Sequence, residues 1–404
     1  MELGRNEACH CGLGKKYKYC CLFQDEKAQR ISLFDKFAVI SDPRDNRGKR
    51  YLLKDLLIMV IYGILNDYDD FDSLAFFLKQ KESYFKNLLL IEKTPSHDCL
   101  SDLFSVMNPK EFMDIFVEWV REIVEKKTGA IIAIDGKAVK SARDKINGGN
   151  TPYILSAYLS EVGISIGQSE VDKKSNEITA IPELLKLIDI EGCFITIDAM
   201  GTQEDIARKI VEAKGHYVLK VKKNQRKLYE DLRNYFHANT EKSNKIMSMV
   251  TNTKVKHGRK EQREYYVTSD VECITHKSKW NTVSAIGMVR VFRETNGTLE
   301  IGEHFYIMDT HISLDMFAKT TRSHWNIECG LHWRLDVILN EDRSRNRIGH
   351  SIANLSAIRK IVFNLVQIDN SFGKLSFKKK MTMYRTNFHN IERLLFHVIA
   401  TLSC

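Results

Sequence analysis

The chain has 404 residues, 43% hydrophobic, 28% charged and 10% aromatic, the make-up of a globular protein with room for two or three domains. Its net charge of +9 and pI near 8.9 favour a polyanionic partner only mildly, since a basic ribosome-associated or membrane-surface protein would read alike. Met1-Glu2-Leu3-Gly4-Arg5 leads into no apolar core, which argues against a secretory signal. The longest apolar run, Leu56 to Leu65, is about half a membrane span, so no membrane partner is expected. Nine cysteines in such a chain point to reduced thiols or metal ligands, and to a cytoplasmic protein that meets the nucleoid if it binds DNA.

In chain order, four cysteines come first, within Cys9-His10-Cys11-Gly12-Leu13-Gly14-Lys15-Lys16-Tyr17-Lys18-Tyr19-Cys20-Cys21. Thiolates this close repel one another unless a cation neutralises them, and Zn²⁺ with four sulfur or nitrogen ligands does so. The segment resembles the SEC-C zinc motif, which implies Cys9, Cys11, Cys20 and Cys21 as zinc ligands over residues 1–26. Residues 27–128 read as helical. Tyr51 to Asn66 is almost continuously apolar, Asp69 and Asp70 can cap a helix over Phe71–Leu78, and Asn108-Pro109-Lys110-Glu111 opens one running to about Glu125. The polar stretch from Asp42 to Arg50 carries four basic residues and is either a phosphate contact or a solvated loop.

From Gly129 the pattern turns to strands: Ile131–Asp135, Tyr153–Leu159 and Ile164–Val171, then a helix over Ile178–Ile188. A strand over Phe194–Asp198, a helix over Gln203–Ala213 and a strand over Tyr217–Val221 follow. Three strands, then helix, strand, helix, strand, is the order of a ribonuclease-H-like core. We assign its first part to residues 129–222, a β-rich insertion to 223–319, its second part to 320–369, and a basic helical tail to 370–404. Within the insertion, Lys254 to Lys260 reads as a loop, while Asn296-Gly297 between two strand-like runs is a hairpin signal. Helices return over Ser323 to about Leu335 and over Ser351–Ile368, and a last one lies around Ile391–Leu402.

Two of the strands end alike. Ile131-Ile132-Ala133-Ile134-Asp135 and Phe194-Ile195-Thr196-Ile197-Asp198 are apolar runs closed by an aspartate, and Glu328 lies in a later helical pattern. Carboxylates gathered at one sheet edge raise each other's pKa, a cost that divalent cations remove. Mg²⁺ takes few carboxylates plus water and substrate phosphate, and two such ions align an in-line displacement at phosphorus. Lys137 beside Asp135 is placed either to contact the scissile strand or to neutralise the aspartate. Lys220, Lys222, Asn224 and Gln225 leave a strand next to this edge and suit phosphate or base contact.

Several collinear motifs carry a resemblance. They are Thr94-Pro95-Ser96-His97-Asp98, Ile134-Asp135-Gly136-Lys137, Lys174 to Pro182, and Thr196-Ile197-Asp198-Ala199-Met200. His324-Trp325-Asn326-Ile327-Glu328, Leu331 to Val337 and Glu341-Asp342-Arg343-Ser344-Arg345 complete the set. Over residues 35 to 370 the chain resembles the DDE transposases of the ISAs-type insertion sequences, the group that includes the H-repeat-associated proteins. The resemblance implies Asp135, Asp198 and Glu328 as the ligands of Mg²⁺ (or Mn²⁺). It also implies cleavage at transposon ends, strand transfer into target DNA, and a homodimer that pairs two ends. Thr321, His324 and Leu335 stand where related transposases carry Tyr, Arg and Lys. The basic role before the glutamate then falls to His324, and Arg322, Arg334 or Arg343 is left to hold the end phosphate. Cys329 stands where the family usually has Asn. The rival readings are a DDE nuclease no longer tied to mobility, a domesticated DNA-binding protein, and a factor defined by its zinc module.

Overall fold

The computed structural model describes residues 33–125, 127–142, 151–171, 177–240, 244–251, 253–256, 259–396 and 402–403. The four expected zinc ligands lie outside these, as does the Lys174–Asn176 part of one family motif. The chain divides into two compact units: residues up to 124 with 344–402, and 125–343 with 403–404.

The first unit is helical, with Leu53–Leu65, Phe71–Gln80, His97–Val106 and Pro109–Ile123 among its helices. The expected caps are in place: Asp70 closes a capping box with Ser73, and the Asn108 side chain accepts from the N–H groups of Lys110 and Glu111. The helix Ser351–Ile368 is buried along nearly its whole length and packs against three of these helices. Two of its polar residues reach carbonyls at the ends of the other helices. Asn354 donates to the carbonyls of Phe104 and Met107 (2.9 and 2.8 Å), and Arg359 donates to that of Asp69 (2.9 Å). Of the basic run Lys378-Lys379-Lys380, Lys380 turns inward, its ammonium capping the end of this helix at Val366 and Asp369 oxygens (3.2 and 2.6 Å).

The second unit is built on a ten-stranded sheet. In chain order its elements are β1 (Ile131–Ala138), β2 (Tyr153–Leu159), β3 (Ile164–Val171), α1 (Glu177–Leu187), β4 (Phe194–Ile197), α2 (Glu204–Glu212) and β5 (His216–Val221). Then come α3 (Arg226–Asn239), β6 (Met247–Val250), β7 (Lys254–Lys256), β8 (Arg259–Thr268), β9 (Ala285–Thr295) and β10 (Thr298–Met308). Last are α4 (Leu314–Asn326), a π-helical turn (Ile327–His332) and α5 (Trp333–Val337). The sheet order is β3-β2-β1-β4-β5-β10-β9-β8-β6, with β7 on β8. β1, β4 and β5 are parallel; β2 runs against β1, β3 runs against β2 and so in the direction of β1, and β10 runs against β5. The inserted strands therefore extend the same sheet.

Two local expectations change. Within Lys254 to Lys260, read as a loop, Lys254–Lys256 is a strand: Lys254 faces Glu261 and Val255 faces Lys260 across an antiparallel ladder. β1 does not stop at Asp135 but runs on to Ala138, held by pairing with β2 down to Ala138↔Tyr153. Gly136 serves packing here, since an added Cβ would fall 2.0 Å from a ring carbon of Tyr153. The core of this unit gathers Tyr265, Val289, Tyr306 and Met308 around Phe317 of α4. The Phe317 ring meets Tyr306 and Tyr265 edge-on, at 5.4 and 6.1 Å between centroids, and lies where a Gly287 side chain would project. That anchorage seats the helix leading to Glu328.

Candidate active site

Parallel pairing of β1 with β4 matches Ile131 to Phe194 and continues to Ile134↔Ile197. The next residue on each side is an aspartate, so Asp135 and Asp198 come abreast where β4 ends, on strands about 4.8 Å apart. The Asp198 carboxylate accepts from the N–H groups of Met200 (2.8 Å) and Gly201 (3.3 Å), capping a single 3-10 turn. Gly201 is crowded: a Cβ there would come 2.3 Å from Ile197 and 2.9 Å from Ile181. The following loop ties the turn down. Asn224 donates to the Ala199 carbonyl at 2.6 Å, and Gln225 to the Thr202 carbonyl at 3.0 Å. These two amides, expected at DNA, are engaged in holding the turn after Asp198, while Lys222 between strand and turn stays exposed.

The third carboxylate arrives on the long helix. α4 begins at the Ser313 cap and packs against β1, β4 and β5. It then widens into the π-turn, where the Trp333 N–H bonds back to the Glu328 carbonyl. Such turns are uncommon and concentrate at functional positions. His324, Glu328 and His332 are spaced by four, hence close to one face. His332 lies with Nδ1 3.6 Å from an Asp135 oxygen. His324 feels Asp198: burial pushes its imidazole down to about 4, the Asp198 charge works the other way, and Lys220 and Lys222 add to the depression. Its buried Nδ1 has no hydrogen-bond partner. Glu328, between the two histidines, is exposed, on a turn packed against β1. Among the described residues no three His, Cys, Asp or Glu side chains stand close enough to share a metal ion. The donor chemistry nonetheless suits a hard divalent cation: two carboxylates abreast, with coordination positions left for water and phosphate.

Basic groups border the aspartates. Burial lowers the Lys220 ammonium to about 8, with Lys222 and Arg263 adding to the effect and Asp198 opposing it. Arg322 is exposed and, with Arg263, Arg293, Lys319, Glu161 and Trp325, lines a cleft of about 610 Å³. Arg263 and Arg293 were not singled out from the sequence; the signal available was a cation repeated on one face of adjacent strands. Arg343 is exposed. Lys137 is not in the open: its ammonium is paired with Asp336, Glu341 (2.7 Å) and Asp342 (3.5 Å) and its side chain is 11% exposed.

His304 on β10 reports this charge. Burial, reinforced by Lys220, Arg263, Lys222 and Arg293, pushes its imidazole from 6.5 down to about 4. Between those values the unfolded chain takes up a proton that the folded chain refuses, so stability falls as pH falls through that window. Melting temperature is expected to drop from pH 6.5 to pH 4, and His304→Gln to flatten the profile relative to the parent. An unchanged slope would remove His304 as a contributor.

The comparisons with known proteins agree with one another. Residues 126–365 match the Transposase DDE domain family, residues 34–120 the DDE_Tnp_1-associated family, and residues 5–23 the SEC-C motif. "Putative transposase YncI" of Escherichia coli O157:H7 is 34% identical over 369 residues, which is 90% of this chain and 94% of that one. "H repeat-associated putative transposase YhhI" of Escherichia coli strain K12 is 32% identical over 356 residues, 86% and 93% of the two chains. A solved piggyBac transposase, in a synaptic complex with hairpin DNA, covers 92% of this chain and 80% of its own at 15% identity. Its TM-score of 0.42 is too low to carry an argument. A family match over more than half the chain, with relatives this similar along nearly their full length, settles the membership: the chain belongs to the DDE transposases, in the group of the H-repeat-associated proteins.

Proposed function

We propose that this transposase cuts the ends of an insertion sequence and joins the freed 3′-hydroxyls to target DNA, with Asp135, Asp198 and Glu328 as its metal-binding carboxylates. The observation that carries the reading is the β1–β4 register, which brings the two aspartates abreast beneath the helix bearing the glutamate. The order β3-β2-β1-β4-β5, with the outer pair antiparallel, is what a ribonuclease-H-like core requires. Mg²⁺ or Mn²⁺ held by these residues would activate the attacking oxygen and stabilise the leaving one. The protein's own groups do the rest. His324, kept neutral by its surroundings, offers a hydrogen bond to a phosphate oxygen. Lys222, Arg322 and Arg343 are exposed cations suited to the backbone of the end DNA. Asn224 and Gln225 act through the turn they hold. In this reading, which the SEC-C match supports, Cys9, Cys11, Cys20 and Cys21 hold Zn²⁺. Two copies are needed to pair two ends.

The test is a search of the DNA flanking the gene for terminal inverted repeats, which the reading requires, and incubation with Mg²⁺ of a fragment that carries them. Cleavage at the repeat boundaries, abolished by chelation, is expected. Intact ends under all divalent-metal conditions would overturn the reading.

A further inference from the structure

Lys137 follows Asp135 by two residues on β1, so both side chains leave the strand on one face. Its ammonium meets carboxylates from a distant stretch of chain: Asp336 on α5, and Glu341 and Asp342 on the 3-10 turn Glu341–Arg343. Lys140 supports the arrangement from the same side, 3.4 Å from Asp342. The Glu341 side chain is only 3% exposed, so its charge depends on a cation brought to it. Asp336 stands two turns of helix beyond Glu328, on the same run of chain. We infer that Lys137 is a positioning residue: it straps the segment after Glu328 to the strand that carries Asp135, and so sets where the glutamate stands over the aspartate pair.

This inference deepens the proposed reaction and rests on it for its consequence, though the strap itself does not. A lysine committed to three carboxylates contributes little to DNA affinity. A lysine that contacts a phosphate contributes to both affinity and its salt dependence. The two roles therefore separate in measurement.

With Lys137→Met, end cleavage is expected to slow about a hundredfold, the scale of a misplaced catalytic group. Affinity for end DNA, measured with Ca²⁺ in place of Mg²⁺, should stay within about twofold, with the slope of log K on log salt unchanged. Lys137→Arg should recover most of the rate. Asp336→Asn, which removes a single partner and spares the fold if Lys137→Met does not, should slow cleavage about tenfold at unchanged affinity. In both neutral variants, amide hydrogen exchange over residues 333–343 should quicken. A salt slope shallower by about one, with weakened binding, would make Lys137 a phosphate contact and overturn the strap. Unchanged exchange over 333–343 would overturn it too. If the parent cuts no end DNA but exchange still quickens in Lys137→Met, the strap stands and the reaction falls.

Discussion

Asp198→Asn is expected to fold like the parent and bind end DNA with similar affinity, while cutting it at least about a thousandfold more slowly. The substitution isolates charge from structure. The Asp198 side chain has a structural duty, capping the turn at Met200 and Gly201. Asparagine does that equally well, because its carbonyl oxygen accepts the same two N–H bonds and it ranks beside aspartate as a capping residue. Asn224 and Gln225 continue to hold the turn from the other side. What is lost is one negative charge beside Asp135, and with it, on the proposed mechanism, a ligand for a divalent cation. The measurement is the cleavage rate on end-bearing DNA in Mg²⁺, alongside a melting curve and an electrophoretic binding titration in Ca²⁺. Equal cutting by mutant and parent would remove Asp198 from the reaction. A collapse of melting temperature would instead show that the turn needs the charge.

The parts legible in the sequence share a physical reason: their signal is local. Tyr153–Leu159 and Ile164–Val171 were expected with the bounds that the strands have, because each apolar run and the turn residues beside it are contiguous in the chain. The pairing of Asp135 with Asp198 followed from two like runs ending alike. What the sequence hid depends on distant partners. The strand expected to close at Asp135 continues through Gly136 and Lys137 because β2 pairs with it, and the glycine makes room for Tyr153. Lys137 finds Glu341 at a separation of 204 residues, so no spacing rule pointed there. The helix bearing Glu328 starts at Leu314, well before Ser323, and its signal was available in the Ser313 cap, whose hydroxyl accepts from the Met316 N–H. The helix Ser351–Ile368 was bounded correctly, but apolarity cannot say which unit it completes; the structure groups it with the N-terminal helices.

Gly330→Ala should impair cleavage about ten- to a hundredfold with little change in stability, and Tyr158→Phe in the same chain should restore most of the rate. Gly330 sits in the π-turn two residues after Glu328, and a Cβ there would fall 2.6 Å from the Tyr158 hydroxyl and 3.2 Å from the ring carbon bearing it. Ordinary contact is roughly 0.6 to 0.8 Å longer, so either the ring or the turn has to move. Tyr158 is on β2 and only 4% exposed, so the ring has little space to yield. The turn therefore lifts from the sheet and takes Glu328 with it. Stability responds less, because two effects oppose. Alanine for glycine favours a helical backbone by about 1 kcal/mol, which offsets overpacking of about 1–3 kcal/mol. Removing the hydroxyl leaves the 3.2 Å contact, tight but within reach of small adjustments. The double variant should then melt above Gly330→Ala and cut at close to the parent rate, a coupling between two residues that neither single change reports. Additive losses in the double variant would mean that the hydroxyl is not what Gly330 accommodates, and that the glycine serves the turn's backbone alone.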